Sequence, residues 1–319
     1  MTRLIGCAVA ALAVYAALLT AVSAQTPPPN PTPAQVQAQA PPLQGFATPQ
    51  AAAEALTDAI RKHDDKAIAA ILGVGWNDLI PGSDWQDEEL RERFLKAWDE
   101  NHTIIPQGPD KVLVGAGTTG WVSPIPIVKQ GNEWRYDVEA GRVEMEARLI
   151  GRNELAVIQT LLAVVDAQRD YAALDPMKVG VPVYARRLVS SAGRMDGLYW
   201  PPRPGEPESP LGPLLARAQT DDVERNGYYG YRFRLLYRQG PDAPGGAYDY
   251  LVNGRMMGGF AVIAWPVHYG ETGVMTFMVS HNSDVYEQDL GPDTEQRAQA
   301  IHIFNPDKGW DKADMEPEK

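Results

Sequence analysis

Lys111 to Pro126 reads KVLVGAGTTGWVSPIP, and the fold turns on how its glycines are read. Gly115 to Gly120 fits the pattern G-x-G-x-x-G, and the apolar run Val112-Leu113-Val114 stands before it where a dinucleotide-binding fold would place a strand. In such a fold the glycines must open a helix whose N-terminus faces the phosphates. Here Trp121-Val122-Ser123-Pro124-Ile125-Pro126 follows, and two prolines one residue apart cannot continue a helix. The stretch therefore predicts a hairpin turn between strands, and the nucleotide reading is set aside. Strands are expected from Lys111 to Val138, with a second turn at Gln130-Gly131-Asn132.

Upstream of this stretch the pattern is helical. Folding is expected to begin at Phe46, with Thr48 as an N-cap and Pro49 in the first turn. Ala52, Ala55, Leu56, Ala59 and Ile60 then recur at helical spacing. A second helix is expected from Asp65 to Leu72, ended by Gly73. A third is expected over SDWQDEELRERFLKAWDENH, with Ser83 or Asp84 as its cap and Leu90, Phe94, Leu95 and Trp98 on one face.

Downstream, a long helix is expected from about Val143 to Ala173, with an apolar stripe through Leu149, Leu155, Ile158, Leu162 and Val165. Glu154, Gln159 and Gln168 read as solvated side chains. Residues 190–226, rich in Pro and Gly, predict a long surface loop with one short helix near Leu214 to Ala218. Beyond it, Tyr229, Tyr231, Phe233, Leu235 and Tyr237 alternate along one strand face. GGFAVIAWPV reads as a buried strand, and GVMTFMVS and VYEQDL follow after short turns, which means an antiparallel sheet. A last helix is expected over PDTEQRAQAIHIF, capped by Asp293 or Thr294, and a poorly ordered tail from Asn305.

The fold class that results is α+β. A small helix-plus-sheet domain is expected over residues 45–140, then a long helix packed on an antiparallel sheet over 141–312, with a tail at 313–319.

The chain has 29 Lys+Arg against 41 Asp+Glu, and no basic run is seen to interrupt that balance. A surface of that sign repels phosphate backbones, so no nucleic-acid partner is expected. At the start, Arg3 precedes an apolar run from Leu4 to Val22, which ends in Val22-Ser23-Ala24. That arrangement predicts a secretory signal peptide over residues 1–24, cut before Gln25, and hence a periplasmic or secreted protein of the cell envelope. The alternative is an uncleaved anchor, since the run is about as long as a short membrane span. With the leader removed, no integral membrane span is expected. Residues 25–44 hold seven prolines and no charge, which predicts an extended, disordered linker. The only cysteine, Cys7, lies inside the apolar run, so disulfides and thiolate chemistry drop out of the exported chain.

Several segments in order carry a family resemblance. They are GRNELAVIQTLLAVVDAQRDYA, GRMDGLYWP, SPLGPLLA, the run from Gly230 to Gly270, GVMTFMVSHNSDVYEQDLGPDT and FNPD. Over residues 45–312 the chain resembles a family of secreted bacterial proteins known as domain of unknown function 2950. The resemblance implies an uncharacterised protein of the envelope and supplies no catalytic residues. More faintly, the helix and following sheet are similar to the globular part of pilin and pseudopilin subunits, from which the chain departs because residues 45–140 precede the helix. The N-terminal part is faintly similar to cone-shaped domains of the nuclear-transport-factor-2 type.

No H-E-x-x-H, G-x-S-x-G, Walker A or S-x-x-K set occurs, and no cofactor or metal is expected. His268 and His281 flank one expected hairpin and stand to approach each other and Glu271, although exposed turn residues are the simpler reading. Asp242, Asp249, Asp284, Glu287 and Asp289 lie near strand ends without an informative pairing. The segment GPDAPGGAYDYLVNGRMMGG, Gly240 to Gly259, is the best candidate site. Its Tyr248, Asp249, Tyr250, Asn253 and Arg255 offer rings, a carboxylate, an amide and a guanidinium suited to a glycan or peptide. The structural alternative is a loop built on its glycines, with Asn253-Gly254 as a hairpin turn. As a ligand site, this loop is expected to line a cleft together with His268. The function expected is an envelope binding or assembly module with an envelope protein, glycan or peptide as partner. The alternatives are a hydrolase of an envelope polymer and a pseudopilin-like subunit, and oligomeric state stays open.

Overall fold

Short polar side chains start the first helices. In the computed structural model, which describes residues 43–76, 88–212 and 227–314, Thr48 Oγ1 accepts from the Ala51 amide at 3.1 Å and opens α1 (Pro49–Arg61). Asp64 accepts from the Ala67 amide at 3.0 Å and opens α2 (Asp65–Leu72), which Gly73 ends. Helix α3 (Glu88–Glu100) follows. The expected leader, the linker up to residue 42, the caps Ser83 and Asp84, the short helix near Leu214 to Ala218 and residues 315–319 lie outside the described residues. The last two expected linker residues are tied down: the Gln44 amide donates to Ala70 O at 2.9 Å, and Arg135 donates to Leu43 O at 2.6 Å.

The first sheet is an antiparallel meander of β1 (His102–Pro106), β2 (Lys111–Ala116), β3 (Ile127–Gln130) and β4 (Glu133–Tyr136). Its glycine stretch is a turn, as its prolines require. Ala116 N donates to Trp121 O at 3.2 Å and Ser123 N to Val114 O at 2.7 Å, which folds the chain back on β2. Strand β1 corrects the expectation that strands begin at Lys111. Its β-branched Thr103, Ile104 and Ile105 suit a pleated surface, and all five residues pair with β2. Ile60, Ile68, Ile71 and Trp98 from the helices meet Val112, Val114, Ile127 and Tyr136 from the sheet in one apolar core.

Helix α4 (Val138–Leu174) is 37 residues long, about 55 Å at ~1.5 Å per residue. It starts before the expected Val143 because Asp137 accepts from the Ala140 amide at 3.1 Å. The boundary expected after residue 140 therefore falls inside a continuous helix. Its first turns place Val138 and Met145 on the first core, while Val157, Leu161, Val164 and Tyr171 belong to a second. Gly141 meets Ile125 so closely that a Cβ there would lie 2.7 Å from Ile125 Cγ1. Leu155, expected in the buried stripe, is exposed.

The second sheet runs in the order β5 (Tyr231–Leu236), β10 (Ala261–Pro266), β11 (Met275–Ser280), β12 (Val285–Asp289), β13 (Asp311–Lys312), all antiparallel. Between β5 and β10 lie two small ladders, β6 (Arg238–Gln239) with β7 (Tyr248–Asp249) and β8 (Leu251–Val252) with β9 (Arg255–Met256). Alternation sends Tyr231 toward α4, where its hydroxyl meets Glu154 at 3.4 Å. It sends Arg234 and Trp265 to the other face, against α5 (Thr294–Ala300): Arg234 donates to Ala298 O at 2.9 Å and Trp265 Nε1 to Glu295 at 2.7 Å. With both faces covered, all six residues of β10 are buried.

Four expectations need correction here. Tyr229 is not in the strand; it sits at φ +51° in a turn and is exposed. The strand ends at Leu236, which leaves Tyr237 exposed between β5 and β6. Residues 190–212 do not only run over the surface, since Leu198, Trp200 and Leu211 are buried in the second core. The chain from Asn305 to Asp314 is built into the fold, because Phe304 is buried and β13 pairs with β12. No helix among the described residues is long and apolar enough to cross a membrane.

Candidate functional site

The C-terminal end of α4 organises a cleft of about 740 Å³. Asp175 leaves the helix in a left-handed conformation, and its two carboxylate oxygens accept from Val179 N at 2.7 Å and Gly180 N at 2.8 Å. The tight loop so formed holds Lys178 at φ +53°, a conformation that residues with a Cβ seldom adopt. One turn before the helix end, the Tyr171 hydroxyl donates to Met195 O at 2.6 Å and fixes the 191–196 turn.

Residues 183–187 form the adjoining wall without belonging to a named strand. The buried Gln168 carboxamide bonds the Ala185 peptide on both sides: Nε2 donates to Ala185 O at 2.9 Å, and Ala185 N donates to Oε1 at 2.8 Å. Tyr184 N donates to Met256 O at 2.8 Å, which adds this segment to β9. Arg186 Nη1 donates to Gly254 O at 3.1 Å and Tyr237 donates to Arg186 O at 3.1 Å, so the hairpin tip, the wall and the end of β5 close on one another.

The charges of the lining are unequal. Lys178, Arg186, Arg187, Arg194 and Arg255 face one carboxylate, Asp196. Asp196 accepts from Ser191 N at 2.8 Å and Ser191 Oγ at 3.0 Å, and lies 3.6 Å from Arg194 and 4.0 Å from Arg187. Partial burial pushes its pKa up, but the two Ser191 bonds and Arg194 outweigh that and hold it below the ordinary carboxylate range. Burial, with Asp196 and Asp175 nearby, pushes the Tyr171 phenol up to about 12. The one acid among the described lining residues is thus ionised and spent on its neighbours. What remains available is positive charge, the edges of Tyr184 and Tyr237, and the apolar atoms of Met177 and Val179.

Of the residues singled out from sequence, Arg255 lines this cleft and Asn253 stands at the adjoining hairpin tip. Asn253 takes φ +50° and Gly254 φ +74°, as expected of a hairpin turn. Tyr250 is 0% exposed, and its hydroxyl donates to Gln239 Oε1 at 2.9 Å. Tyr248 is exposed, and Asp249 pairs with Arg238 at 3.3 Å. Edge-to-face contacts run from Tyr248 to Tyr250, His281, Phe260 and Tyr184, so the tyrosines brace the hairpin from behind.

His268 is not among the described residues that line this cleft. It follows the end of β10, a strand about 20 Å long at ~3.4 Å per residue, whereas the hairpin precedes the start of that strand. His281 faces Phe260 at the other end for the same reason, so the two histidines cannot converge on Glu271. Among the described residues, no three His, Asp or Glu side chains are grouped to hold a metal ion.

Sequence reasoning missed Lys178, Arg186, Arg187, Arg194, Tyr184 and Tyr237. A signal for the cations was present: from Pro176 to Arg203 the chain holds Lys178, Arg186, Arg187, Arg194 and Arg203 against Asp196 alone. This is a local reversal of the acidic balance, spread over 28 residues and not gathered in a basic run.

A family model described as protein of unknown function, DUF2950, matches residues 43–313, and the chain belongs to that family. No curated protein and no solved structure matches it.

Proposed function

We propose that this member of DUF2950 is an exported envelope protein that binds a ligand in the cleft between the end of α4 and the β8–β9 hairpin. The observation that carries the reading is the construction of the cleft. Its walls are fixed by side-chain bonds to backbone from Gln168, Tyr171, Asp175 and Arg186, and its volume lies in the range of small-molecule pockets. Among the described residues its one lining carboxylate, Asp196, is ionised and engaged by Ser191 and Arg194, which suits holding a ligand better than general acid–base work. Export is supported by the leader-like start and the proline-rich segment after it.

The test is a thermal-shift panel on the purified protein with peptidoglycan fragments, oligosaccharides, short peptides and small anions, each ligand re-analysed by mass spectrometry afterwards. A ligand at ~100 times its dissociation constant adds about 2.7 kcal/mol of stability. Stabilisation by an unaltered ligand, lost in Arg255→Met, is the expected result. A ligand that returns cleaved would replace the binding reading with a hydrolase.

A further inference from the structure

We propose that the cleft takes a small ligand with at least two oxyanion groups, carboxylates or phosphates, held chiefly by Lys178 and Arg255. This rests on the cleft being a binding site and adds the chemistry of what it binds.

Five cations and one carboxylate line the cleft, while the whole chain carries a formal charge of −12. Like charges gathered against the trend of the chain repel one another unless something compensates them. Asp196 compensates Arg187 and Arg194, and Arg186 is committed to the Gly254 carbonyl. Lys178 and Arg255 make no ion pair and no side-chain hydrogen bond with any described residue, although both line the cavity. An ammonium and a guanidinium left open at one cavity match two anionic groups, and the guanidinium fork matches the two oxygens of a carboxylate or phosphate.

The backbone gives a separate argument. Lys178 is held at φ +53°, and Asp175 uses both carboxylate oxygens, on Val179 and Gly180, to keep the loop in that form. A glycine would adopt this conformation without strain, yet the position carries a lysine. The ligand's uncharged body has Tyr184, Tyr237 and Met177 to rest on. Size follows from the surroundings. A long polyanion would leave the cleft and run over the acidic remainder of the surface, whereas a small ligand stays within about one screening length of the cations.

Isothermal titration of the purified protein with citrate and with pyrophosphate, at matched ionic strength, tests this. Sulfate, chloride, chitobiose and a neutral peptide are run beside them. We expect citrate or pyrophosphate to bind at least tenfold more tightly than chloride, and affinity to weaken as salt rises. Lys178→Met and Arg255→Met should each cost about tenfold or more, and Asp196→Asn should leave binding equal or stronger. Preference for citrate assigns a carboxylate ligand and preference for pyrophosphate a phosphate ligand; either supports the proposal. Binding by neither, or binding unchanged in the Lys178→Met/Arg255→Met double variant with its melting temperature intact, overturns it. Should chitobiose or the neutral peptide alone bind, with Arg255 required, the charge assignment is wrong while the binding reading survives. A blank from every probe removes both.

Discussion

Replacing Gln168 by leucine tests whether the cleft wall depends on a side chain acting in place of a neighbouring strand. Gln168 is 0% exposed, and its carboxamide satisfies both the N–H and the C=O of Ala185, itself 1% exposed. Leucine fills much the same volume and can do neither. Each buried backbone group left unpaired costs ~1–3 kcal/mol, so the pair costs ~2–6 kcal/mol. Burying methyl groups in place of the amide returns about 1–2 kcal/mol. At the middle of these ranges the expected net loss is about 2–3 kcal/mol, concentrated in the second core. Urea unfolding followed by tryptophan fluorescence reads the total, since Trp200 and Trp265 are buried there. Hydrogen exchange over residues 183–188 reads the cause, because the Ala185 amide should lose protection ahead of its surroundings. Affinity at the cleft should fall as well, since Tyr184 and Arg186 flank the released peptide. A loss under about 1 kcal/mol with the Ala185 amide still protected would show that this peptide finds other partners, and the account of the wall would be wrong.

Other substitutions separate the remaining forces. Gly141→Ala gains up to about 1 kcal/mol of helix propensity but puts a Cβ 2.7 Å from Ile125 Cγ1 and 3.1 Å from its Cα. Overlap should win, for a net loss of about 1–3 kcal/mol in chemical denaturation. Gly151→Ala, on the same helix with nothing within 4 Å of the new Cβ, should instead raise the melting temperature, by about 0.5–1 kcal/mol in stability. Glu154 Oε1 accepts from Val274 N at 2.8 Å and Met275 N at 2.9 Å, so Glu154→Ala should cost about 2–4 kcal/mol and Glu154→Gln distinctly less. Burial holds the His281 imidazole below the ordinary histidine pKa, so the unfolded chain takes up that proton first and stability falls as pH drops below about 6.5. Glu287, pushed up by burial with Glu154 and Asp311 nearby, acts with the opposite sign above the ordinary glutamate range. Comparing wild type with His281→Asn cancels the Glu287 effect. Wild type should lose more stability between pH 7.5 and 5.5, and equal slopes would remove His281 from the account.

How far the sequence could be read depended on where each residue's partner lay. Thr48, Pro49 and Gly73 act on groups within a few residues of themselves, and the helices they bound were legible. The prolines after Gly120 ruled out a helix by local sterics alone. Strand β1 was hidden because Ile104 and Ile105 form a short run between a helix and Pro106, and only pairing with β2 makes them a strand. Gln168 and Glu154 read as solvated because polar side chains usually are; their partners, Ala185 and the Val274–Met275 backbone, lie across the fold. Of the expected site, the Asn253-Gly254 turn was legible for the same local reason. The association of Arg255 with Lys178 was not, because it depends on the end of α4 meeting a hairpin two sheet elements later.

That meeting determines how the cleft can work. Residues 175–187 and 191–196 contain no helix or named strand, and their one β-bridge to another element is Tyr184 with Met256, so regular backbone pairing holds little of them. Side chains bonded to backbone do most of the holding, and three of these side chains, Gln168, Tyr171 and Asp175, come from the last two turns of α4 or its cap. A helix buried along Val157 to Tyr171 cannot shift without disturbing the second core, so these bonds start from a fixed base. Ordering loops and long side chains is a main cost of association, and here much of the backbone is ordered before a ligand arrives. The open cations, Lys178 and Arg255, still lose side-chain freedom on binding, at about 0.5–1.5 kcal/mol each. Discrimination should therefore come from charge and reach at those two residues, with the cleft's shape already set by the helix end beneath them.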